Sequence, residues 1–104
     1  MEYSDMNLIA KYMGWNIKHS EAHVLGLNTK YDFYTYDNGF NSVLFDNNTV
    51  FYCANEIFKR GQWHSFVENF YDCKKSIDDM FFLMLDRNHF FTRMAEWLRT
   101  VIYR

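Results

Sequence analysis

The hydrophobic residues near the start of the chain recur at helical spacing. Ser4 and Asp5 precede them and can cap a helix, and Gly14 stands where a left-handed C-terminal cap would lie. The spacing predicts a short helix over residues 6–13. Residues 15–30 show no clean period, and we interpret them as an irregular connection with room for a short strand. The apolar stripe of the predicted helix consists of Leu8, Ile9, Tyr12 and Met13.

From Tyr31 onward the period of the chain changes to two. Residues 31–37 are rich in β-forming side chains, and Asn38-Gly39 is the preferred pair for a two-residue type I′ hairpin turn. A second tight turn at Asn47-Asn48 would add another strand, so the sequence predicts a three-stranded antiparallel meander over residues 31–54. The register set by the first turn pairs Thr35 with Ser42, Tyr34 with Val43, and Phe33 with Leu44.

The predicted register sorts the side chains of the meander onto two faces, and both faces are apolar. A sheet with one solvated face alternates apolar and polar residues, which this one does not. We therefore expect helices on both faces, or helices on one face and a partner or second subunit on the other. One face holds Phe33, Thr35, Ser42, Leu44, Phe51 and Cys53, and the other holds Tyr34, Tyr36, Val43, Phe45, Val50 and Tyr52.

The remainder of the chain has helical patterning. Asn55 can cap a turn over residues 56–60 that ends at Gly61, and an amphipathic helix follows. Residues 76–79 resemble a capping box, and an apolar stripe then runs to Ile102. We favour one continuous helix there, with a weak point at residues 86–89 where one helix could instead end and the next begin. The amphipathic helix carries Trp63, Phe66, Val67, Phe70 and Tyr71.

Together these elements predict an α+β fold: a short N-terminal helix, the three-stranded meander, and two or three C-terminal helices packed on it. The 104 residues fit a single domain, residues 1–104, with a net charge of −2 and 22 aromatic residues. This composition excludes a disordered chain, a collagen-like chain and a strongly basic nucleic-acid binder. No apolar run approaches the length needed to span a bilayer.

The N-terminus and the cysteines indicate a cytoplasmic protein. The first residues are acidic and polar, unlike the basic start and apolar middle of a signal peptide. Cys53 and Cys73 lie about twenty residues apart without a CxxC pattern, so we expect two free thiols in a reducing compartment.

No motif in the sequence indicates catalysis, a cofactor or a metal. His19 and His23 have the H-x-x-x-H spacing that can hold a metal on a helix, but no third ligand lies nearby, and surface histidines are the better interpretation. Nucleophile signatures and phosphate-binding glycine loops are missing. We therefore predict a protein that is not an enzyme and has no cofactor.

The candidate partner-binding residues are aromatic and basic. Tyr34, Tyr36 and Tyr52 share one face of the predicted meander, where few cations accompany them, so this face suits a protein partner better than a nucleic acid. It is equally consistent with a sheet face that a helix covers. Arg87, Arg93 and Trp97 on the last helix form a mixture enriched at interfaces, with an ordinary solvated helix as the alternative.

Residues 8–15 read Leu-Ile-Ala-Lys-Tyr-Met-Gly-Trp. This segment resembles the start of a group of short uncharacterised phage and prophage proteins of the Bacteroidota, which open with a Leu-Ile-Ala-x-Phe-Met-Gly helix. Gln62-Trp63-His64-Ser65-Phe66-Val67 is a loose counterpart of their closing motif, without their common proline. The resemblance implies a phage or mobile-element origin, where small single-domain proteins often bind and block host machinery such as restriction or CRISPR systems.

The sequence therefore favours a non-enzymatic protein-binding module, with a phage-encoded inhibitor of a bacterial defence system (anti-CRISPR-like) as its specific form. Such an inhibitor would block the surface of a host protein in the host cytoplasm. A structural or regulatory homodimer is the alternative, and a nucleic-acid-binding protein is a weaker one.

Overall fold

The computed structural model describes residues 1–26, 29–70 and 86–104. Helix α1 is followed by a two-stranded antiparallel sheet and then by further helices, which confirms the predicted α+β class. The last helix continues into a short π-helical turn. The elements are α1 (Tyr3–Met13), β1 (Asn16–His23), β2 (Lys30–Asp37), α2 (Asn47–Lys59), α3 (Trp63–Phe70), α4 (Arg87–Trp97) and the π-helical turn (Leu98–Ile102).

Helix α1 ends as its sequence predicts but begins earlier. Gly14 has φ +74°, and the N–H of Trp15 donates to the carbonyl of Ala10 at 2.9 Å, which is the Schellman termination. At the other end Glu2 holds the cap position, so the predicted caps Ser4 and Asp5 lie within the first turn.

Strand β1 lies in the segment predicted as an irregular connection with room for a short strand, and it is longer than that prediction allows. Asn16 pairs with Asp37 at one end of the ribbon, and His23 pairs with Lys30 at the other. The sequence of β1 is polar and most of its side chains are exposed, so it lacks the apolar alternation that identifies a strand. It is extended because β2 offers a hydrogen-bonding edge.

The three-stranded meander is wrong beyond its first strand. β2 forms close to the predicted place, but Asn38 lacks the positive φ that a type I′ turn requires. Its side-chain carbonyl instead accepts the N–H groups of Phe40 and Asn41 at 2.9 and 2.8 Å. The chain makes a single bridge from Ser42 to Asp37 and then leaves the sheet.

The predicted third strand is helix α2. The Asp46 carboxylate accepts the Thr49 N–H at 3.0 Å, which caps the helix at the point where we predicted a tight turn. The buried residues of α2 then follow helical spacing. The predicted strand positions of Val50 and Tyr52 are therefore wrong. These buried residues are Thr49, Val50, Cys53, Ala54 and Ile57.

Several of the C-terminal predictions can be compared with the structure. The predicted end at Gly61 (φ +70°) and the amphipathic helix after it are confirmed over α3, where Phe66 is fully buried. The predicted cap at Asn55 is wrong, because Asn55 and residues 56–59 continue α2, which Asp46 already caps. The continuous helix through residues 86–89 is wrong, because Asp86 is extended and its carboxylate caps α4 through the His89 N–H. Tyr71, the capping box at residues 76–79 and the start of the long stripe lie outside the described residues.

The helices meet in one aromatic core around Trp97. The Trp97 ring contacts Tyr12 and Phe66 edge-on at centroid distances of 5.7 and 5.4 Å, and its indole N–H donates to Ser65 Oγ at 3.1 Å. Such T-shaped pairs are favourable beyond the area they bury. The core therefore joins α1, α3 and α4. Its largest fully buried side chains are Trp97, Phe66, Phe90, Phe91, Ile9, Ile57, Met94 and Leu98.

We predict that Gly14→Ala lowers the free energy of unfolding by about 1 kcal/mol, because a Cβ makes the left-handed conformation unfavourable. An added Cβ would meet no heavy atom within 4 Å, so the loss comes from the backbone and not from a clash. Urea denaturation measures it. Gly14→Asn is the matched control and should lose less, since Asn tolerates positive φ; equal losses would contradict the backbone explanation.

Cys53 should be unreactive in the folded protein. Burial raises the pKa of this fully buried thiol from 9.0 to about 12. At about pH 8 the folded thiol is therefore ionised on the order of a thousand times less than the unfolded one, and only the thiolate reacts. Because the folded pKa is the higher one, this thiol's contribution to stability is lost as the pH rises from 9.0 towards about 12.

The measurement is the rate of reaction with an aromatic disulfide reagent, in a Cys73→Ser variant so that only Cys53 reports. The same variant in denaturing urea is the reference. A folded rate within a few-fold of the urea rate would show that Cys53 is accessible and would overturn the assignment of this residue to the core.

Candidate protein-binding site

Tyr34 and Tyr36 share the face of the sheet that α1 approaches. Tyr36 is 6% exposed, and its hydroxyl donates to Asn7 Oδ1 at 2.8 Å. Burial raises the pKa of Tyr36 to about 12, with smaller contributions from Tyr3 and Tyr34. The half-buried Tyr34 ring stacks on His19 at 4.9 Å and meets Tyr3 at 5.2 Å. At Tyr36, the alternative in which a helix covers this sheet face is therefore correct, and the covering helix is α1.

Tyr52 does not lie with the other two tyrosines. It is on helix α2 and 66% exposed, so the prediction that Tyr34, Tyr36 and Tyr52 share a sheet face is wrong. The physical reason is the Asp46 cap, which makes residues 47–59 helical and removes the strand that carried Tyr52 in the predicted register.

The three candidate partner-binding residues on the last helix also lie in different environments. Trp97 is fully buried and its indole N–H is already bonded to Ser65, so it is unavailable to a partner in this structure. Arg93 forms an ion pair with Glu96 at 3.1 Å, one turn along the same exposed helix face. Arg87 is exposed in the first turn of α4. The three residues therefore do not form one surface.

A cleft of about 650 Å³ lies between α2 and the segment 38–46. Six residues of α2 line it, and five of them lie on the side of the helix away from its buried stripe. Trp15 and Leu44 add apolar surface, and two asparagines that precede the helix add amide hydrogen-bonding groups. The α2 residues are Asn48, Thr49, Tyr52, Asn55, Glu56 and Lys59, of which Thr49 also belongs to the buried stripe, and the asparagines before the helix are Asn38 and Asn41.

Large exposed apolar side chains lie in this cleft and on the neighbouring flank of α2. Leu44 is 70% exposed and Tyr52 66%, and both line the cleft. On the neighbouring flank of α2, Phe51 and Phe58 are seven residues apart and therefore stand on one helix face, 56% and 69% exposed. We call Leu44, Phe51, Tyr52 and Phe58 the α2 surface.

The sequence contains a signal for this surface that our interpretation missed. Val50, Cys53, Ala54 and Ile57 follow i, i+3, i+4 and i+7, which marks the buried stripe of a helix. Once that stripe is assigned, Phe51 and Phe58 fall outside it. The predicted meander instead places Phe51 on one face of its third strand, and the predicted turn over residues 56–60 contains Phe58.

The electrostatic character of the cleft is mixed. Glu56 Oε1 accepts from Arg60 Nε at 2.9 Å one turn later, and Lys59 stands on the same side. Arg60 also lies 4.0 Å above the Tyr12 ring, which connects the end of α2 to α1. At the cap, the Thr49 N–H lowers the pKa of the Asp46 carboxyl, so this group stays ionised at neutral pH. No strong single charge dominates the cleft.

His19 and His23 are on a strand, not on a helix. Four residues of strand separate their Cα atoms by about 13 Å. His19 Nε2 lies 3.3 Å from Asp32 Oδ1 on the neighbouring strand. Within residues 1–26, 29–70 and 86–104, no three His, Cys, Asp or Glu side chains are grouped so that they could hold a metal ion.

Comparisons with known proteins give no match. No protein-family model matches the chain, and neither the curated proteins nor the solved structures contain a significant match to it. Among the helices of the described ranges, none combines the length and the apolar character needed to cross a membrane.

Tyr36→Phe should lower the free energy of unfolding by about 1 kcal/mol, because it leaves Asn7 Oδ1 without its donor in a partly buried place. Tyr31→Phe is the matched control: Tyr31 is 53% exposed on the same strand, and its loss should stay within about 0.5 kcal/mol. Urea denaturation of both variants measures the difference. If the two variants were equally stable, the Tyr36–Asn7 bond would not hold the sheet against α1.

Proposed function

We propose that this protein is a non-enzymatic protein-binding module that contacts its partner through the α2 surface. The observation that supports this is the group of four large apolar side chains, each more than half exposed, beside a cleft of about 650 Å³. Singly scattered exposed apolar residues are ordinary, but Phe51, Tyr52 and Phe58 lie on one helix, and Tyr52 and Leu44 line the same cleft, which favours an interaction site.

The aromatic residues of the α2 surface have no role in the core. The opposite stripe of α2 supplies the buried contacts, and Phe51, Tyr52 and Phe58 remain in water. Exposed aromatic rings that bury their faces on binding give a large contact area with little loss of side-chain entropy, and tyrosine is enriched among residues that dominate binding energy. A partner would therefore gain most of its affinity from these rings.

The mixed charge of the cleft supports a protein partner over a nucleic acid. Phosphate recognition depends on several Lys and Arg side chains along one surface. Here Lys59 and Arg60 are balanced by Glu56 and Asp46. Asparagine amides between them can donate to and accept from a polypeptide backbone.

We further propose that the partner belongs to a bacterial defence system and that a phage-encoded copy of this protein blocks it in the host cytoplasm. The support is the resemblance of residues 8–15 and 62–67 to phage and prophage proteins. In the fold, residues 8–15 supply Ile9, Ala10 and Tyr12 to the core and Gly14 to the helix cap. The resemblance therefore bears on origin, and the α2 surface carries the proposed contact.

The test compares wild type with Tyr52→Ala/Phe58→Ala as immobilised baits in lysate of a Bacteroidota bacterium, with captured proteins identified by mass spectrometry. The captured partner is then purified and its affinity measured. We expect the double variant to weaken binding by roughly 30-fold or more, because central aromatic residues typically contribute about 2 kcal/mol or more. Tyr31→Ala, which also removes an exposed tyrosine, is the matched control and should bind as wild type does.

Other outcomes would reassign the function. Equal recovery of partners by wild type and the double variant would contradict the α2 surface. A solution mass of two chains that returns to one chain in the double variant would indicate a homodimer through this surface. If expression of wild type failed to restore phage growth in a strain carrying the captured defence component, the inhibitor proposal would fall while protein binding remained.

A further inference from the structure

The outer edge of β2 has unused hydrogen-bonding groups. The Val24 N–H donates to Thr29 O across the ribbon, so the odd-numbered residues of β2 direct their backbone groups towards β1. The even-numbered residues therefore direct their N–H and C=O groups outward, as the bond from Val43 N–H to Tyr36 O shows. In the part of the chain that the structure describes, the outward groups of Lys30, Asp32 and Tyr34 have no hydrogen-bond partner.

The chain itself begins to pair with this edge as a third strand but leaves it after a single bridge. The Asn38 N–H donates to Asn41 O at 3.0 Å and the Val43 N–H to Tyr36 O at 2.8 Å, on either side of the Asp37–Ser42 bridge. Phe45 then turns into the core, where its ring meets Tyr36 at 5.3 Å and Phe91 at 5.1 Å. In the described ranges, no strand therefore pairs with the outer edge of residues 30–34.

A groove lies at the point where the chain leaves the edge. It has a volume of about 370 Å³, and most of its lining is apolar. It is bounded by the outer edge of β2 on one side, by the departing segment 42–45 on the other, and by α1 at its end. Its lining residues are Met6, Tyr34, Thr35, Tyr36 and residues 42–45.

We propose that this edge binds an extended segment of a partner protein as an additional β-strand. Outward N–H and C=O groups that repeat every second residue, about 6.6 Å apart, are satisfied together only by another extended backbone. The bonds that the chain already makes at Tyr36 show that the edge accepts a strand in this position. The inference rests on the proposed function only in that the ligand is a protein, since the groove shares Leu44 with the α2 surface but includes neither Tyr52 nor Phe58.

The side chains of β2 specify the sequence of that segment. The residue opposite Tyr34 points to the same face as Tyr34 and enters the groove, so it is apolar. The next residue on that face lies opposite Asp32, whose side chain is 60% exposed and faces the His19 imidazole and the opposite Glu21 from β1. A basic residue fits there. The segment therefore has an apolar residue and a basic residue two positions apart.

A second copy of this chain fits the edge poorly. The twofold pairing of β2 that uses the outward groups of Lys30, Asp32 and Tyr34 together places Lys30 against Tyr34 and Asp32 against Asp32 of the second copy. Like charges directly opposite each other on neighbouring strands are destabilising. The neighbouring register pairs Lys30 with Asp32 but places Tyr34 beyond the end of the second β2, so its outward groups stay without a strand partner. The edge therefore favours a different polypeptide.

Proline substitution distinguishes backbone recognition from side-chain recognition. Asp32→Pro removes one outward N–H and leaves the hydrogen bonds between β1 and β2 in place, whereas Asp32→Ala keeps the N–H and removes only the carboxylate. The probe is a library of random peptides long enough to form a strand, selected on the full-length wild-type protein. Selected peptides are then synthesised and titrated against both variants.

We expect selected peptides to share the apolar and basic spacing, to lose roughly tenfold or more of their affinity for Asp32→Pro, and to lose only a few-fold for Asp32→Ala. Circular dichroism establishes that the proline variant is folded. If it is not, N-methylation of successive peptide amides replaces it: alternate amides should abolish binding and the others should not.

Selection of no peptide, or of peptides that bind both variants equally, would overturn the inference. A dimer of the free protein that Asp32→Pro dissociates would show that a second copy occupies the edge and would also overturn it. Tyr52→Ala/Phe58→Ala should bind the selected peptides as wild type does, so failure at the edge and failure at the α2 surface are distinguishable.

Discussion

The hydrogen bond from the Thr49 N–H to the Asp46 carboxylate determines what the middle of the chain becomes. It caps α2, and the Thr49 hydroxyl also donates to the Leu44 carbonyl, so the segment that leaves the sheet is fixed to the start of the helix. With the cap in place, Val50, Cys53 and Ile57 are buried, and Leu44 and Tyr52 are brought to the same cleft. The α2 surface and the open edge of β2 both follow from this one helix cap.

The parts of the fold that were predictable have local signals. Gly14 and Gly61 end helices through a backbone conformation that their sequence positions reveal, and the stripe through Trp63 and Phe66 has a clear period. β1 has no such signal, since its polar sequence is extended only by pairing with β2. A strand of this kind depends on tertiary structure and cannot be read from its own residues.

The middle of the chain was mispredicted because two local signals compete there. Asp46-Asn47-Asn48-Thr49 contains both a pair of turn-forming asparagines and a helix cap with its acceptor and donor three residues apart. The segment of residues 50–54 is short and apolar, so its pattern is compatible with either a strand or a helix. The same error placed Tyr52 on one sheet face with Tyr34 and Tyr36. Of the predicted site residues, Tyr52 is well exposed beside a cleft, whereas Tyr36 and Trp97 serve the core, because aromatic residues are used for both purposes.

The two sides of α2 have separable consequences for evolution. Substitutions at Phe51, Tyr52 or Phe58 change what the helix presents to solvent without creating a cavity, since the core is filled from the other side by Val50, Cys53 and Ile57. Under the proposed function, the residues that contact the partner can therefore change while the fold keeps its stability. A protein that must follow a changing partner surface gains from this arrangement, because new specificities remain reachable by single mutations that the core does not oppose.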